Sequence, residues 1–257
     1  MVSSNMQPIY ARLREQARQI VSSLPAPDFY QDHSQAYEYS SRLFQADPEI
    51  RKLCRFVSEE LDDDFGHGLQ HAIKVTIDAG ALMNIEGQAA GYSESKLERQ
   101  TQIVQCAGLM HDTKRKKKDH SIHGADYART VLEDYSLSDD EIEDVCRAIQ
   151  NHEAFKAKIH IDSPEGVLIS DCLYDADKFR WGPDNFTDTL WDMVSFLNPP
   201  LSKFMARYPQ GMEGLKKIKA TFRTTTGKEY GPQFLDLGLT IGKELHDVIL
   251  ADFSEYL

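Results

Sequence analysis

Apolar residues recur every three or four positions along most of the chain, which is the pattern of amphipathic helices. Long stretches of alternating apolar and polar residues, typical of half-buried strands, are missing. Near the N-terminus, residues 10–24 and 36–61 have helical composition and are separated by a turn that contains Pro25 and Pro27. The pattern therefore predicts an all-α protein.

Five further helices are predicted between residues 67 and 179, and the first of them has one face that repeats every four residues from 67 to 83. A polar loop over 84–95 precedes the second helix, at 96–111, and the third is predicted at 123–135. Ser138 and Glu141 form a capping-box pattern that opens the fourth, and Ser163 with Pro164 opens the fifth. Beyond residue 181 the composition changes, and a last helix is predicted at 235–253.

Composition narrows the class of protein. Hydrophobic residues make up 41% and charged residues 27%, as in ordinary folded chains, and the net charge of −12 disfavours wrapping of nucleic acid. Apolar runs fall far short of the ~18 residues that a membrane span needs. The polar N-terminus lacks the apolar segment of an export signal, and the four isolated cysteines suggest reduced core thiols. We therefore expect a cytoplasmic protein that does not bind membranes.

Histidines are concentrated in one part of the sequence, since six of the nine lie between residues 67 and 152. A single histidine on an apolar helix face is usually a core residue. Burial of several imidazoles without partners would cost roughly 1–3 kcal/mol each. A shared cation removes that cost, and imidazole with carboxylate suits borderline divalent metals.

The segment from Asp63 to Asp177 resembles the HD superfamily of metal-dependent phosphohydrolases. The matching pieces are HAIKV at 71–75, CAGLMHD at 106–112, HGADYA at 123–128, AIQNHE at 148–153 and DADKF at 175–179. The resemblance implies an HD-domain helical core of about five helices over residues 61–180. N-terminal and C-terminal helical extensions, at 1–60 and 181–257, would pack on this core as one compact unit.

The resemblance also implies metal ligands. His71, His111, Asp112 and Asp177 would hold a first ion, and Asp112 would bridge to a second ion held by His123 and His152. Asp177 is preferred over Asp171 and Asp175 because it continues the four-residue step from Ile169 and Leu173, and because the family's last ligand precedes a lysine. The mixed ligands suit one or two ions of Mn, Fe, Co, Ni or Zn, with Mg less natural for so many imidazoles.

The implied activity is hydrolysis of a nucleotide or small phosphate ester by water activated on the metal. Asp112 would orient the cation, and His67, one turn before His71, is predicted to face the substrate unless it is an ordinary histidine at a helix start. The cations at Lys114, Arg115 and Lys178 are predicted to offset phosphoryl charge. Some family members have Gly-Lys after the His-Asp pair where this chain has Thr-Lys-Arg, so which cation meets phosphate stays open.

Two alternative functions are compatible with these residues. Diiron oxygenases with a similar ligand set cleave carbon bonds of polyols or phosphonates, and a regulatory HD module would sense a nucleotide without turning it over. No glycine-tyrosine-proline signature follows Glu153, which disfavours the cyclic-dinucleotide subgroup. The substrate and the association of identical chains stay open.

Overall fold

A computed structural model describes residues 8–61 and 68–257, and all regular secondary structure within these ranges is helical, as predicted. The helices are α1 Pro8–Ser23, α2 Phe29–Asp32, α3 Ser34–Ala46, α4 Pro48–Glu60, α5 Leu69–Ala89, α6 Glu94–Met110, α7 His120–Leu132, α8 Asp139–Gln150, α9 Pro164–Phe179, α10 Leu190–Leu197, α11 Leu201–Ile218 and α12 Thr225–Asp252, with a π-helical turn at Asn185–Thr189 and a 3-10 turn at Ser254–Tyr256. Within the described ranges, no helix has the length and apolar character that crossing a membrane requires.

Several helix boundaries differ from the sequence-based predictions. The segment predicted as helical over 36–61 divides into α3 and α4 at Asp47, whose Oδ1 accepts hydrogen bonds from the backbone N–H groups of Glu49 and Ile50, each at 2.9 Å. Pro48 follows as the first residue of α4, a position where its missing N–H costs nothing. Helix α5 extends into the loop predicted over 84–95 and ends at Ala89, because Asn84 and Gly87 pack in the interior.

Helix α5 lies at the centre of the fold and packs against α3, α6, α9 and α12. Helices α5 and α6 approach closely at Gly108, where an added Cβ would lie 2.7 Å from the Cα of Thr76. This contact is between backbones, so a larger side chain at Gly108 would push the two helices apart. The close approach brings the C-terminal end of α6 beside the first turn of α5.

The C-terminal residues are attached to α9 through Asp175, which is fully buried. Its Oδ1 accepts a hydrogen bond from the Arg223 backbone N–H at 2.8 Å, and its Oδ2 accepts from the N–H and hydroxyl of Thr224 at 2.8 and 2.7 Å. Thr224 is also the N-cap of α12. Asp175 therefore fixes the start of α12 against the core helices. The predicted segment boundaries at residues 60 and 180 stay a prediction.

A buried ion pair joins α5 to the residue that follows α9. Arg180 donates hydrogen bonds to Asp78 and to the hydroxyl of Tyr30 in α2, and the two side chains of the pair are only 6% and 2% exposed. Burial raises the pKa of Asp78 to about 6, although the neighbouring guanidinium opposes this shift. The relative positions of α2, α5 and the end of α9 thus depend on one guanidinium.

Loss of this ion pair is expected to destabilise the whole fold. Asp78→Ala removes one of the two carboxylates that contact the buried Arg180 guanidinium, with Asp184 as the other, and loss of a buried partner costs up to roughly 3–5 kcal/mol. The matched control is Asp236→Ala, which removes an exposed partner of Lys219 at 2.7 Å and should cost at most ~1 kcal/mol. Denaturant unfolding of both variants measures the difference, and equal losses would show that the buried pair does not hold the elements together.

Candidate metal centre

Five helix ends converge on one buried cluster of imidazoles and carboxylates. His71 lies in the first turn of α5, and His111 with Asp112 follows α6 directly. His120 begins α7, and His152 follows the end of α8. With Asp177, in the last turn of α9, these residues form a cluster in which every member is 9% exposed or less.

The first group of possible metal ligands joins α5, α6 and α9. The Nε2 atoms of His71 and His111 lie 3.3 Å apart, and Oδ1 of Asp177 is 3.4 Å from the first and 3.9 Å from the second. Asp112 places Oδ2 3.6 Å from Nε2 of His111. Four ligand atoms therefore surround one small volume.

A second group shares Asp112 with the first. Its other oxygen, Oδ1, lies 3.5 Å from Nε2 of His120 and 3.5 Å from Nε2 of His152. The two imidazole nitrogens are 3.2 Å apart. Because the two oxygens of one carboxylate face different groups, Asp112 stands between two adjacent sites.

Backbone hydrogen bonds determine which imidazole nitrogen faces the cluster. Nδ1 of His111 donates to the carbonyl of Gly108 at 2.7 Å, and Nδ1 of His152 donates to the carbonyl of Ile149 at 2.6 Å. Burial lowers the pKa of His111 to about 4, so this ring is neutral at pH 7. The Nε2 lone pairs of both rings are therefore directed at the cluster, as metal ligands require.

These residues fit a divalent cation. The unprotonated Nε2 atom of His111 and the Oδ2 atom of Asp112 are both hydrogen-bond acceptors, yet they lie only 3.6 Å apart. Acceptors brought this close in a buried site repel one another unless a positive charge lies between them. Imidazole nitrogen together with carboxylate oxygen is the ligand set of borderline divalent metals.

A buried lysine holds the Asp177 carboxylate in place. Nζ of Lys178 donates to Oδ2 of Asp177 at 2.5 Å and to the backbone carbonyl of His152 at 3.0 Å, and its side chain is 4% exposed. Burial disfavours the ionised carboxyl, but the ammonium and the neighbouring imidazoles outweigh this effect and hold the pKa of Asp177 well below its usual value. Lys178 orients a ligand and is not exposed to substrate, which differs from its predicted role.

His120, not His123, belongs to the cluster. His123 was predicted as a ligand, but its side chain is exposed on α7. Helix α7 begins three residues earlier than predicted, and its buried stripe steps by four through His120, Gly124 and Ala128. Gly124 faces the carbonyl of His111, where an added Cβ would lie at 3.4 Å, so this stripe is the one that meets α6. The four-residue step to two small residues is the sequence signal that identifies His120.

Glu153 is a further residue near the centre for which the sequence predicted no role. Its Oε1 accepts a hydrogen bond from the hydroxyl of Ser121 at 2.6 Å and lies 3.8 Å from Nδ1 of His120. A carboxylate beside Nδ1 favours the tautomer that leaves Nε2 free to bind a metal. Burial lowers the pKa of His120 to about 4, so this ring is also neutral at pH 7.

Of the three predicted phosphate-binding cations, Arg115 is the one that lies at the centre with part of its side chain exposed. Its Nη1 is 3.0 Å from Nε2 of His120 and 3.7 Å from Oδ1 of Asp112, and the side chain is 36% exposed. Lys114 instead lies 3.6 Å from Glu60 and over the ring of Tyr127.

The carboxylates left open as alternatives to Asp177 lie elsewhere. Asp171 accepts a hydrogen bond from Lys158 at 2.7 Å, and Asp175 is bonded to the start of α12. His67, the predicted catalytic histidine, lies outside the described residues.

Comparison with known families agrees with this geometry. Residues 68–179 match the sequence model of the HD domain, and this range contains every member of the cluster. The searches of curated proteins and of solved structures return no match. HD domains form a superfamily of metal-dependent hydrolases, and the match identifies residues 68–179 of this chain as an HD domain.

Proposed function

We propose that the protein is a phosphohydrolase that acts on a nucleotide or small phosphate ester with one or two divalent transition-metal ions. The observation that carries the proposal is the pair of adjacent buried ligand groups joined by Asp112. A bound divalent cation supplies a water of lowered pKa, near ~7, and polarises the phosphoryl group. Asp112 has an oxygen in each group and can orient ligands in both.

The charges of the centre support an anionic substrate. The carboxylates of Asp112 and Asp177 contribute −2 and the ammonium of Lys178 contributes +1, so these buried groups sum to −1. A single divalent ion makes the sum positive, since the imidazoles of His111 and His120 are neutral at pH 7. A positive site within an otherwise acidic protein attracts and concentrates anions such as phosphate esters.

Two partly exposed cations lie near the centre and are candidates for contact with a phosphoryl group. Arg115 adjoins the second ligand group, and Lys74 lies one turn after His71 on α5 with its side chain 42% exposed. Lys74 forms an ion pair with Asp184 at 2.7 Å, which holds the ammonium near the surface. A planar guanidinium matches two phosphoryl oxygens better than an ammonium does, so Arg115 is the stronger candidate for substrate contact.

The ligand set predicts a strict dependence on two adjacent residues. His111→Ala and Asp112→Ala should each abolish metal binding and turnover of a chromogenic phosphate monoester, because each removes a donor from the buried groups. The readouts are the number of metal ions bound per chain and the rate of hydrolysis with added Mn. Circular dichroism checks that the variants fold. Retained hydrolysis by either purified, metal-loaded variant would contradict the proposal.

The same metal analysis of the wild-type chain separates the alternative functions. Iron in both groups together with oxygen-dependent consumption of a polyol or phosphonate would favour an oxygenase. A chain that neither contains metal nor binds added Mn would favour a regulatory module. Either result would overturn the proposed hydrolysis.

Two histidines of α7 provide a matched comparison. His120→Ala should lower the metal content of the second group, whereas His123→Ala should leave it unchanged, because only His120 lies within 3.5 Å of Asp112. Both substitutions remove the same side chain within one turn of the same helix. Metal titration by calorimetry measures the number of sites, and loss of a site in His123→Ala alone would reverse the assignment.

Arg115 is expected to limit occupancy of the second group. Its guanidinium contacts the same atoms of Asp112 and His120 that would bind an ion, so it already supplies positive charge there. Arg115→Gln should therefore bind a second ion more tightly than the wild type. The control is Lys117→Gln, an exposed cation of the same loop. Equal affinity for the second ion in all three proteins would show that Arg115 does not compete with metal.

A further inference from the structure

A large apolar cavity lies outside the metal centre, in the residues that follow α9. It has a volume of about 480 Å³, is lined by residues of the π-helical turn, α10 and α11, and is partly open to solvent where Leu197, Lys203 and Arg207 are exposed. Sites for small molecules typically measure ~300–1,000 Å³. The volume therefore suits a small organic molecule.

Side chains of the described residues do not fill this space. Helices α10 and α11 are separated by only residues 198–200, yet α10 packs on α1 and on the π-helical turn and not closely on α11. Apolar surface that stays in contact with water is unfavourable, and a contiguous apolar surface of this kind typically marks a binding site. The apolar cavity between these consecutive helices therefore indicates a space for a ligand.

The walls select for an aliphatic group. Phe186, Leu190, Val194, Phe204 and Leu215 contribute aromatic and branched surface. Methionines at 193 and 212 add flexible side chains that adapt to the shape of a ligand. Among the side chains that the structure describes, no aspartate or glutamate lines the cavity.

The charged residues of the described lining are cationic. Lys203 and Arg207 lie one turn apart on α11, and both are exposed. Neither forms an ion pair with any residue in the described ranges. Two unpaired cations beside an apolar cavity, in a chain of net charge −12, complement a ligand with an anionic head.

We propose that this cavity binds a single-chain amphipathic anion, such as a long-chain fatty carboxylate or alkyl phosphate. The aliphatic chain occupies the space between α10 and α11, and Lys203 and Arg207 hold the anionic head. The site shares no residue with the ligand groups of the metal centre, so it does not depend on the proposed phosphohydrolase activity.

Two glycines of α11 allow a matched test. Gly211 lines the cavity, and a Cβ added there would meet nothing within 4 Å, so Gly211→Leu places its side chain against the cavity with no clash at Cβ. Gly214 has equally open surroundings but does not line the cavity, which makes Gly214→Leu the control. The probe is a fluorescent polyene fatty acid, competed by an alkyl phosphate and by a fatty alcohol of equal length.

The wild type and Gly214→Leu should bind the probe alike, and Gly211→Leu should bind it about tenfold more weakly or worse, since displacement of two buried methylenes costs that much. The alkyl phosphate should compete better than the alcohol. In the surface variant Lys203→Gln with Arg207→Gln, which removes no buried group, that preference should disappear.

Several results would overturn the proposal. They are absence of binding to the wild type, equal binding by Gly211→Leu, and equal competition by phosphate and alcohol. A dimer in light scattering that Gly211→Leu dissociates would assign the cavity to a second copy of the chain instead. Metal content is measured in every cavity variant as a control. If it is unchanged, a loss of probe binding reflects the cavity and not damage to the metal centre.

Discussion

The structure depends on bringing unprotonated imidazoles and carboxylate oxygens together in a buried volume, where they repel one another without a cation. His111 and His152 meet this constraint in the same way. Each lies just beyond a helix and donates its Nδ1 proton to a carbonyl of that helix's last turn, at Gly108 or Ile149. One hydrogen bond to a carbonyl of the last helical turn thus orients the ring and directs Nε2 at the cluster. Helix ends are therefore the places from which this centre can be built.

Helix α9 connects this centre to the rest of the molecule through three charged residues near its C-terminal end. Asp177 faces the imidazoles, Asp175 holds the start of α12, and Arg180 reaches Asp78 on α5. Because these partners lie on different sides of one helix, a rotation of α9 would break contacts in all three directions. The C-terminal residues thereby contribute to the position of a ligand that they do not touch.

The sequence was sufficient to predict the helical class and most of the residues that the structure brings together in the buried cluster. His71 and Asp177 each continue a four-residue apolar step, which fixes the helix face from local information alone. His123 was wrongly preferred to His120 because the two are three residues apart on one helix, so the choice depends on where the helix begins and on which stripe meets α6. The structural role of Asp175 could not be predicted from sequence, since the backbone N–H of Arg223 that it binds is 48 residues away.

The ligand groups and the apolar cavity lie in different parts of the chain and depend on the sequence in different ways. The match to the HD domain ends at residue 179, and the ligand groups are complete by that point. The cavity beside α10 and α11 is formed entirely by later residues, from Trp181 onward. No local pattern marks it, because it arises from the separation of two helices and not from the periodicity of either. The ligand groups follow a motif with fixed order, whereas the cavity follows from how the C-terminal helices pack.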